Sequence, residues 1–275
     1  MPLIGSHATV TGGLATGALS YAAAAQAEVI QVFVSNPRGW AAGPGSAAED
    51  ALLREAAIPV FIHATYMINL GSGNPDVAAK SADAVAHALR RGGEIGARGV
   101  VVHTGSGVGW DRDRALRQLG ELALPLLDKL ADDDPDLLFE PMAGQGQMLC
   151  AQAGDLAEYL TALEFHPKAG VCLDTCHLFA AGHDLTADGG VTAMLAALSA
   201  AGAGGRVKLV HANDSVLAAG SKRDRHATIG AGLIGTAPFG ELLAALPEVP
   251  FVVETPGGKA GHARDIATLK GLREQ

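Results

Sequence analysis

Short apolar runs recur along the chain, and six of them stop on a side chain able to bind metal. VFIH ends at His63, VVVH at His103, LLFE at Glu140, GVCLD at Asp174, VKLVH at His211 and FVVE at Glu254. Continuous apolar runs of this length fit strands buried on both faces. Two earlier strands are predicted at PLIGSH (2–7) and VIQVFVS (29–35). Between the strands lie segments of helical composition. These are an Ala-rich stretch near 12–26, SAAEDALLREA (46–56) with Ser46 as its N-cap, and stretches near 76–92, 111–130, 152–163, 191–201, 238–246 and 262–272. Eight strand–helix alternations predict an α/β fold, a (β/α)8 TIM barrel forming a single domain over residues 1–275. Right-handed βαβ crossovers then set the strand order.

In such a barrel the C-terminal strand ends converge on one mouth, where barrel enzymes carry their chemistry. A lone His or Glu at a strand end is usually just a hydrogen-bonded polar residue. Six at the same strand position point to metal. The longest irregular stretch, 212–236, adds Asp224 and His226 as a D-x-H pair that shares one face of an extended backbone. LDTCH adds His177, three residues after Asp174. The metal-ligand set is therefore His63, His103, Glu140, Asp174, His177, His211, Asp224, His226 and Glu254. Mixed imidazole and carboxylate donors favour zinc, manganese or iron over calcium or magnesium. Nine donors exceed the needs of one tetrahedral ion and suit two or three ions with a bridging carboxylate. His7 ends a strand too and is read as a hydrogen-bonding support, whereas His87, His166, His183 and His262 are read as surface residues. The glycines of TGSGVGW (104–110) lack the Lys of a phosphate loop and are expected to let backbone approach the pocket.

Composition refines this picture. With 48% hydrophobic residues the chain can bury a large core, and Cys150, Cys172 and Cys176 read as buried or free thiols of a reducing compartment. No apolar run is long enough to span a membrane and no signal peptide is evident, so a cytoplasmic protein is expected. The formal charge of −9 alone argues against a nucleic-acid partner. Three divalent cations would bring it to −3 and gather positive charge in one pocket. Paired metal ions can clamp the attacking and leaving oxygens of a phosphoryl displacement, with no organic cofactor and no nucleophilic Ser or Cys.

HATYMINLGS (63–72), VVHTGS (101–106), GVCLDTCHLFAAGHDL (170–185), HANDS (211–215), GSKRDRHATIGAGLIG (220–235) and VVETP (252–256) together resemble the endonuclease IV family of abasic-site DNA repair enzymes. The likeness runs from GSH (5–7) to VVETP, and LDTCH with GSKRDRH in this order is its most specific part. The resemblance implies a trinuclear zinc barrel that cuts duplex DNA 5′ to an abasic site, leaving a 3′-hydroxyl and a 5′-deoxyribose phosphate. It also implies a monomer. By carry-over, His63, His103 and Glu140 hold one ion; Glu140, Asp174, His211 and Glu254 a second; His177, Asp224 and His226 a third. Glu140 is the implied catalytic residue, orienting the attacking hydroxide. Manganese or iron can replace one zinc.

The resemblance further implies that DNA is bent, the lesion flipped out and the gap filled by side chains. Arg38, Tyr66 and Met67 occupy the corresponding positions, and Lys222, Arg223 and Arg225 form a basic cluster for phosphate contacts. Where the family reads ENTAGQG this chain reads EPMAGQG, so Pro141 and Met142 are expected to remove hydrogen bonds that orient Glu140. Thr65 stands where Pro is usual, and Gly39 where a longer side chain is frequent. Two other readings compete: a sugar isomerase or epimerase of the xylose-isomerase-like barrels, and a metal-containing DNA-damage-binding protein with weakened catalysis.

Overall fold

The computed structural model describes residues 1–275. Eight parallel strands close into a barrel: β1 (Ile4–His7), β2 (Ile30–Val32), β3 (Val60–His63), β4 (Gly99–His103), β5 (Asp136–Glu140), β6 (Ala169–Asp174), β7 (Val207–His211) and β10 (Phe251–Val253). Each pairs with its neighbours around the barrel, and β10 returns to β1. A two-residue antiparallel pair, β8 (Asp214–Ser215) with β9 (His226–Ala227), sits in the long loop after β7. The TIM-barrel expectation is met. No helix is long and apolar enough to cross a membrane.

Two-residue periodicity explains how the barrel makes its mouth. Val29, Phe61, Val101, Leu138, Cys172, Leu209 and Val252 form one small, separate buried cluster. Residues two apart share a face of a strand. Two positions further on stand Gln31, His63, His103, Glu140, Asp174, His211 and Glu254. An apolar plug therefore fills the barrel, and a polar layer lies directly above it. Register aligns that layer across strands, with His103 opposite Glu140 and Asp174 opposite His211. A much larger apolar cluster packs the helices onto the barrel's outer face.

Several local expectations are corrected. The second strand ends at Val32 rather than Ser35, because its pairing with β3 stops at Val32–Ile62 and Phe33 turns away to pack on the His7 ring, 4.3 Å between centroids. Glu254 lies one residue past β10. Ser46 precedes the helix Ala47–Glu55 but makes no side-chain capping bond. The helix expected over 152–163 is split into a 3-10 turn, Ala153–Asp155, and a helix, Leu156–Ala162. The Asp155 carboxylate accepts from the Ala151 and Gln152 amides and fixes that turn. A short helix, Thr175–Ala181, was not anticipated. His262 is buried, not on the surface, where it bonds the Tyr21 hydroxyl (2.9 Å) and the Thr255 carbonyl (2.9 Å).

Gly5 marks the closest backbone approach in the barrel. A Cβ added there would overlap the Val29 carbonyl oxygen, and backbone cannot yield as a side chain can. Gly5→Ala is expected to lower unfolding stability by about 3 kcal/mol, measured by urea denaturation against the parent protein.

Candidate metal centre

The nine donors reach the mouth from strand ends, one short helix and one loop. His63, His103, Glu140, Asp174 and His211 are the last residues of their strands, so the barrel itself aims them. Asp174 also caps the helix Thr175–Ala181. Its carboxylate accepts from the His177 amide at 2.8 Å, which holds the first turn and sets His177 beside it. Asp224 and His226 arrive on the loop after β7, and its anchor is Asp214. That buried carboxylate accepts from the amides of Gly230 (2.9 Å), Gly232 (3.0 Å) and Ile234 (2.9 Å). The antiparallel pairing of Ser215 with His226 completes the brace.

The donor atoms gather into overlapping groups, each spanning no more than 4.8 Å: His63, His103 and Glu140; Glu140, Asp174 and His211; Asp174, His177 and His226; and Cys176, Asp224 and His226. Glu254 joins the second through its Oε2, 3.3 Å from His211 Nδ1. Asp224 bridges His177 (3.3 Å) and His226 (3.0 Å). Eight residues, among them Tyr66 and seven of the donors, surround a cavity of about 260 Å³. A larger external groove of about 670 Å³, between the helices Arg112–Leu127 and Leu156–Ala162, has neither histidine nor cysteine in its lining.

Charge and hydrogen bonding fit a cation-binding site. Burial works to raise the Glu140 carboxyl, but His211, His177 and His63 outweigh it and hold it well below the usual carboxylate range. Glu254 and Asp224 are lowered in the same way against burial, the first chiefly by His211, the second by His177 and His226. Burial pushes His103 down to about 4, leaving a neutral imidazole with a free lone pair at neutral pH. For His226 burial is overcome by Asp174 and Asp224, which carry it to about 9. The field that draws a proton onto His226 also draws a divalent cation. Glu140 Oε2 and His226 Nε2 are buried without a well-directed hydrogen bond, although His63 Nε2 lies 3.3 Å from the first and Asp224 Oδ1 3.0 Å from the second, and both face the donor groups. Polar atoms so poorly satisfied are costly unless an ion completes their coordination.

Other anticipated residues fall as follows. Tyr66 stacks on His103 (5.4 Å, 15°) and meets His63 edge-on (5.1 Å). Tyr66 and Met67 are large side chains exposed by 45% and 41%. Arg38, Lys222, Arg223 and Arg225 are exposed on loops, and Arg225 donates to the Asp224 carbonyl. Thr65 ties the Arg38 loop down, its hydroxyl donating to the Pro37 and Gly39 carbonyls. Neither Pro141 nor Met142 bonds the Glu140 carboxylate, and its Oε2 has no well-directed hydrogen bond. Glu140 Oε1 keeps His211 (3.1 Å) and His177 (3.2 Å), and the Pro141 carbonyl itself lies 3.1 Å from His177 Nδ1. The close approach at Gly105, with φ 73°, is to Asn69 on the Tyr66 loop rather than to the cavity. His7 supports Glu254 at 3.1 Å, as expected. All three cysteines are free and buried.

A family model described as a xylose isomerase-like TIM barrel matches residues 19–272. A protein of Streptomyces coelicolor named probable endonuclease 4 is 52% identical, over 98% of this chain and 95% of its own length. The chain belongs to the endonuclease IV family. The crystal structure of endonuclease IV from Thermus thermophilus superposes with a TM-score of 0.86 at 33% identity, covering 99% of both chains. A D-tagatose 3-epimerase-like protein has a TM-score of 0.77 at 17% identity, covering 99% of this chain and 97% of its own, a likeness of fold alone. Family membership makes this chain a metal-dependent nuclease, and the donor groups of its polar layer could hold a metal ion.

Two residues of the site escaped the sequence reading. Gln31 and Asn213 are fully buried between the donors. Asn213 donates to Asp174 Oδ2 (2.7 Å) and accepts from the Glu254 amide (2.8 Å). Gln31 could have been found by the two-residue spacing from Val29. The brace at Asp214 yields a direct test. Asp214→Ala leaves three loop amides unpaired and is expected to cost about 3 kcal/mol. Hydrogen exchange should accelerate at Gly230, Gly232 and Ile234, with amides of β4 and β5 unchanged.

Proposed function

We propose that this protein repairs DNA by hydrolysing the phosphodiester bond 5′ to an abasic site in duplex DNA. The products are a 3′-hydroxyl and a 5′-deoxyribose phosphate. One observation carries the proposal: nine imidazole and carboxylate donors converge on one barrel mouth, beside an exposed aromatic, an exposed Met and a basic loop. His63, His103 and Glu140 would hold one ion. Glu140, Asp174, His211 and Glu254 would hold a second, with His177, Asp224 and His226 at a third. The imidazole-rich donor set favours zinc, with manganese or iron able to replace one ion. When bound, such ions bring the pKa of water near 7 and offset charge on phosphoryl oxygens.

The chain's own residues supply the rest. Glu140 is ionised, acceptor-only and held from both sides by His211 and His177, so it orients the attacking water. Tyr66 and Met67 offer apolar surface for the gap left by an unstacked nucleotide, and wedging costs least at a damaged site. Arg38, Lys222, Arg223 and Arg225 contact phosphates and position the duplex. The Thr65 hydroxyl binds the Arg38 loop to the Tyr66 loop, so both reach the DNA as one unit. We read the protein as a monomer acting in the cytoplasm.

The test is incubation of purified protein with a duplex carrying a single abasic analogue. A nick 5′ to the lesion is expected, slowed about a thousandfold in Glu140→Gln. Tight binding without a nick would favour a damage-binding protein. Absence of binding, with turnover of a ketose, would favour a sugar isomerase.

A further inference from the structure

Gln31 is the one neutral amide in the polar layer of the barrel, and it is 0% exposed. Its Nε2 donates to Glu254 Oε1 at 2.7 Å. An ionised carboxylate can only accept, so the amide's orientation is settled. Its carbonyl oxygen then points the other way, 2.9 Å from His211 Nε2. That oxygen is also acceptor-only. His211 therefore carries a proton on Nε2, and a cation bound among the carboxylates would take the place of any proton on Nδ1, the nitrogen left to serve as donor. Nδ1 lies 3.1 Å from Glu140, 3.3 Å from Glu254 and 4.0 Å from Asp174.

This arrangement differs from that of the other histidines in the site. His63, His177 and His226 each direct Nδ1 at a backbone carbonyl, of Ala64 (2.7 Å), Pro141 (3.1 Å) and Glu254 (3.4 Å), and turn Nε2 inward. A main-chain carbonyl faces Nδ1 in all three, joined at His177 by Glu140 Oε1 at 3.2 Å. Among these four, only His211 has its outward nitrogen held by a side chain from outside the donor set, and the same side chain grips a second donor, Glu254.

We propose that Gln31 is the positioning residue for the ion held by Glu140, Asp174, His211 and Glu254. It fixes His211 as the Nε2–H tautomer and sets Glu254 beside it, and so controls the affinity of that ion selectively. The inference rests on reading those four residues as ligands. Groups that orient metal-binding histidines commonly change metal affinity by about 10–100-fold when removed.

The test uses the zinc-loaded protein with 15N-labelled histidine, and competition against a chromophoric chelator. In the parent, long-range 15N spectra should show His211 protonated at Nε2, and the chelator should report about three ions. Gln31→Met keeps the volume and removes the amide. One zinc should then be held about 10–100-fold more weakly, with the other two at parental affinity. Gln31→Glu keeps an acceptor for His211 but sets a like charge against Glu254. It should retain the Nε2–H signal and still loosen the same ion. Unchanged affinities in a folded Gln31→Met protein overturn the proposal. So does a parent spectrum with His211 protonated at Nδ1, which needs no variant to fold. A parent that binds no zinc at these residues would instead refute the ligand reading, and the proposal with it.

Discussion

Buried carboxylates facing buried imidazoles, with too few hydrogen bonds to satisfy them all, are the constraint on which this molecule turns. Glu140 sits at 1% exposure with one oxygen shared between His211 and His177 and the other 3.3 Å from His63 without a well-directed hydrogen bond. An ionised group so placed is expensive unless opposite charge compensates it. The imidazoles supply part of that compensation, which is why Glu140, Glu254 and Asp224 remain ionised despite burial. Divalent cations would supply it more completely, and His63, His177 and His226 each turn a ring nitrogen inward, where it could meet one. The barrel makes this tolerable by stacking the polar layer on a dry apolar plug, so the cost is confined to the mouth.

Much of this was legible in the chain. A strand buried on both faces needs an unbroken apolar run, and the side chain that ends it must face either the barrel interior or the helices. The six runs ending at His63, His103, Glu140, Asp174, His211 and Glu254 showed both the barrel and its mouth. The less legible parts have physical causes. Gln31 lies inside VIQVFVS, and that apolar run masks where pairing stops. Its end is set by β3, a partner distant in sequence, and not by any local turn signal. The helix Thr175–Ala181 spans only seven residues and owes its start to Asp174, a residue already occupied by another role. His262 looked like a surface residue because nothing in its neighbourhood in sequence announces Tyr21, 241 positions earlier.

The loop after β7 shows how such a centre can be completed from outside the barrel. Asp224 and His226 are not on a barrel strand, so the sheet cannot aim them. Asp214 does so by gathering three amides of the returning chain, while β8 and β9 fix the register of His226. The same loop carries Lys222, Arg223 and Arg225 outward. Candidate metal donors and basic side chains thus share one segment, with the donors facing in and the basic groups facing out. A chain of net charge −9 can in this way present a locally positive face to DNA.

Anomalous scattering at the zinc absorption edge, from crystals grown with zinc, tests the central claim most directly. The account predicts three strong peaks inside the mouth, each against its own donor group, with Glu140 shared between two. A single peak, or peaks lying outside the ring formed by His63, Asp174, His226 and Glu254, would contradict it.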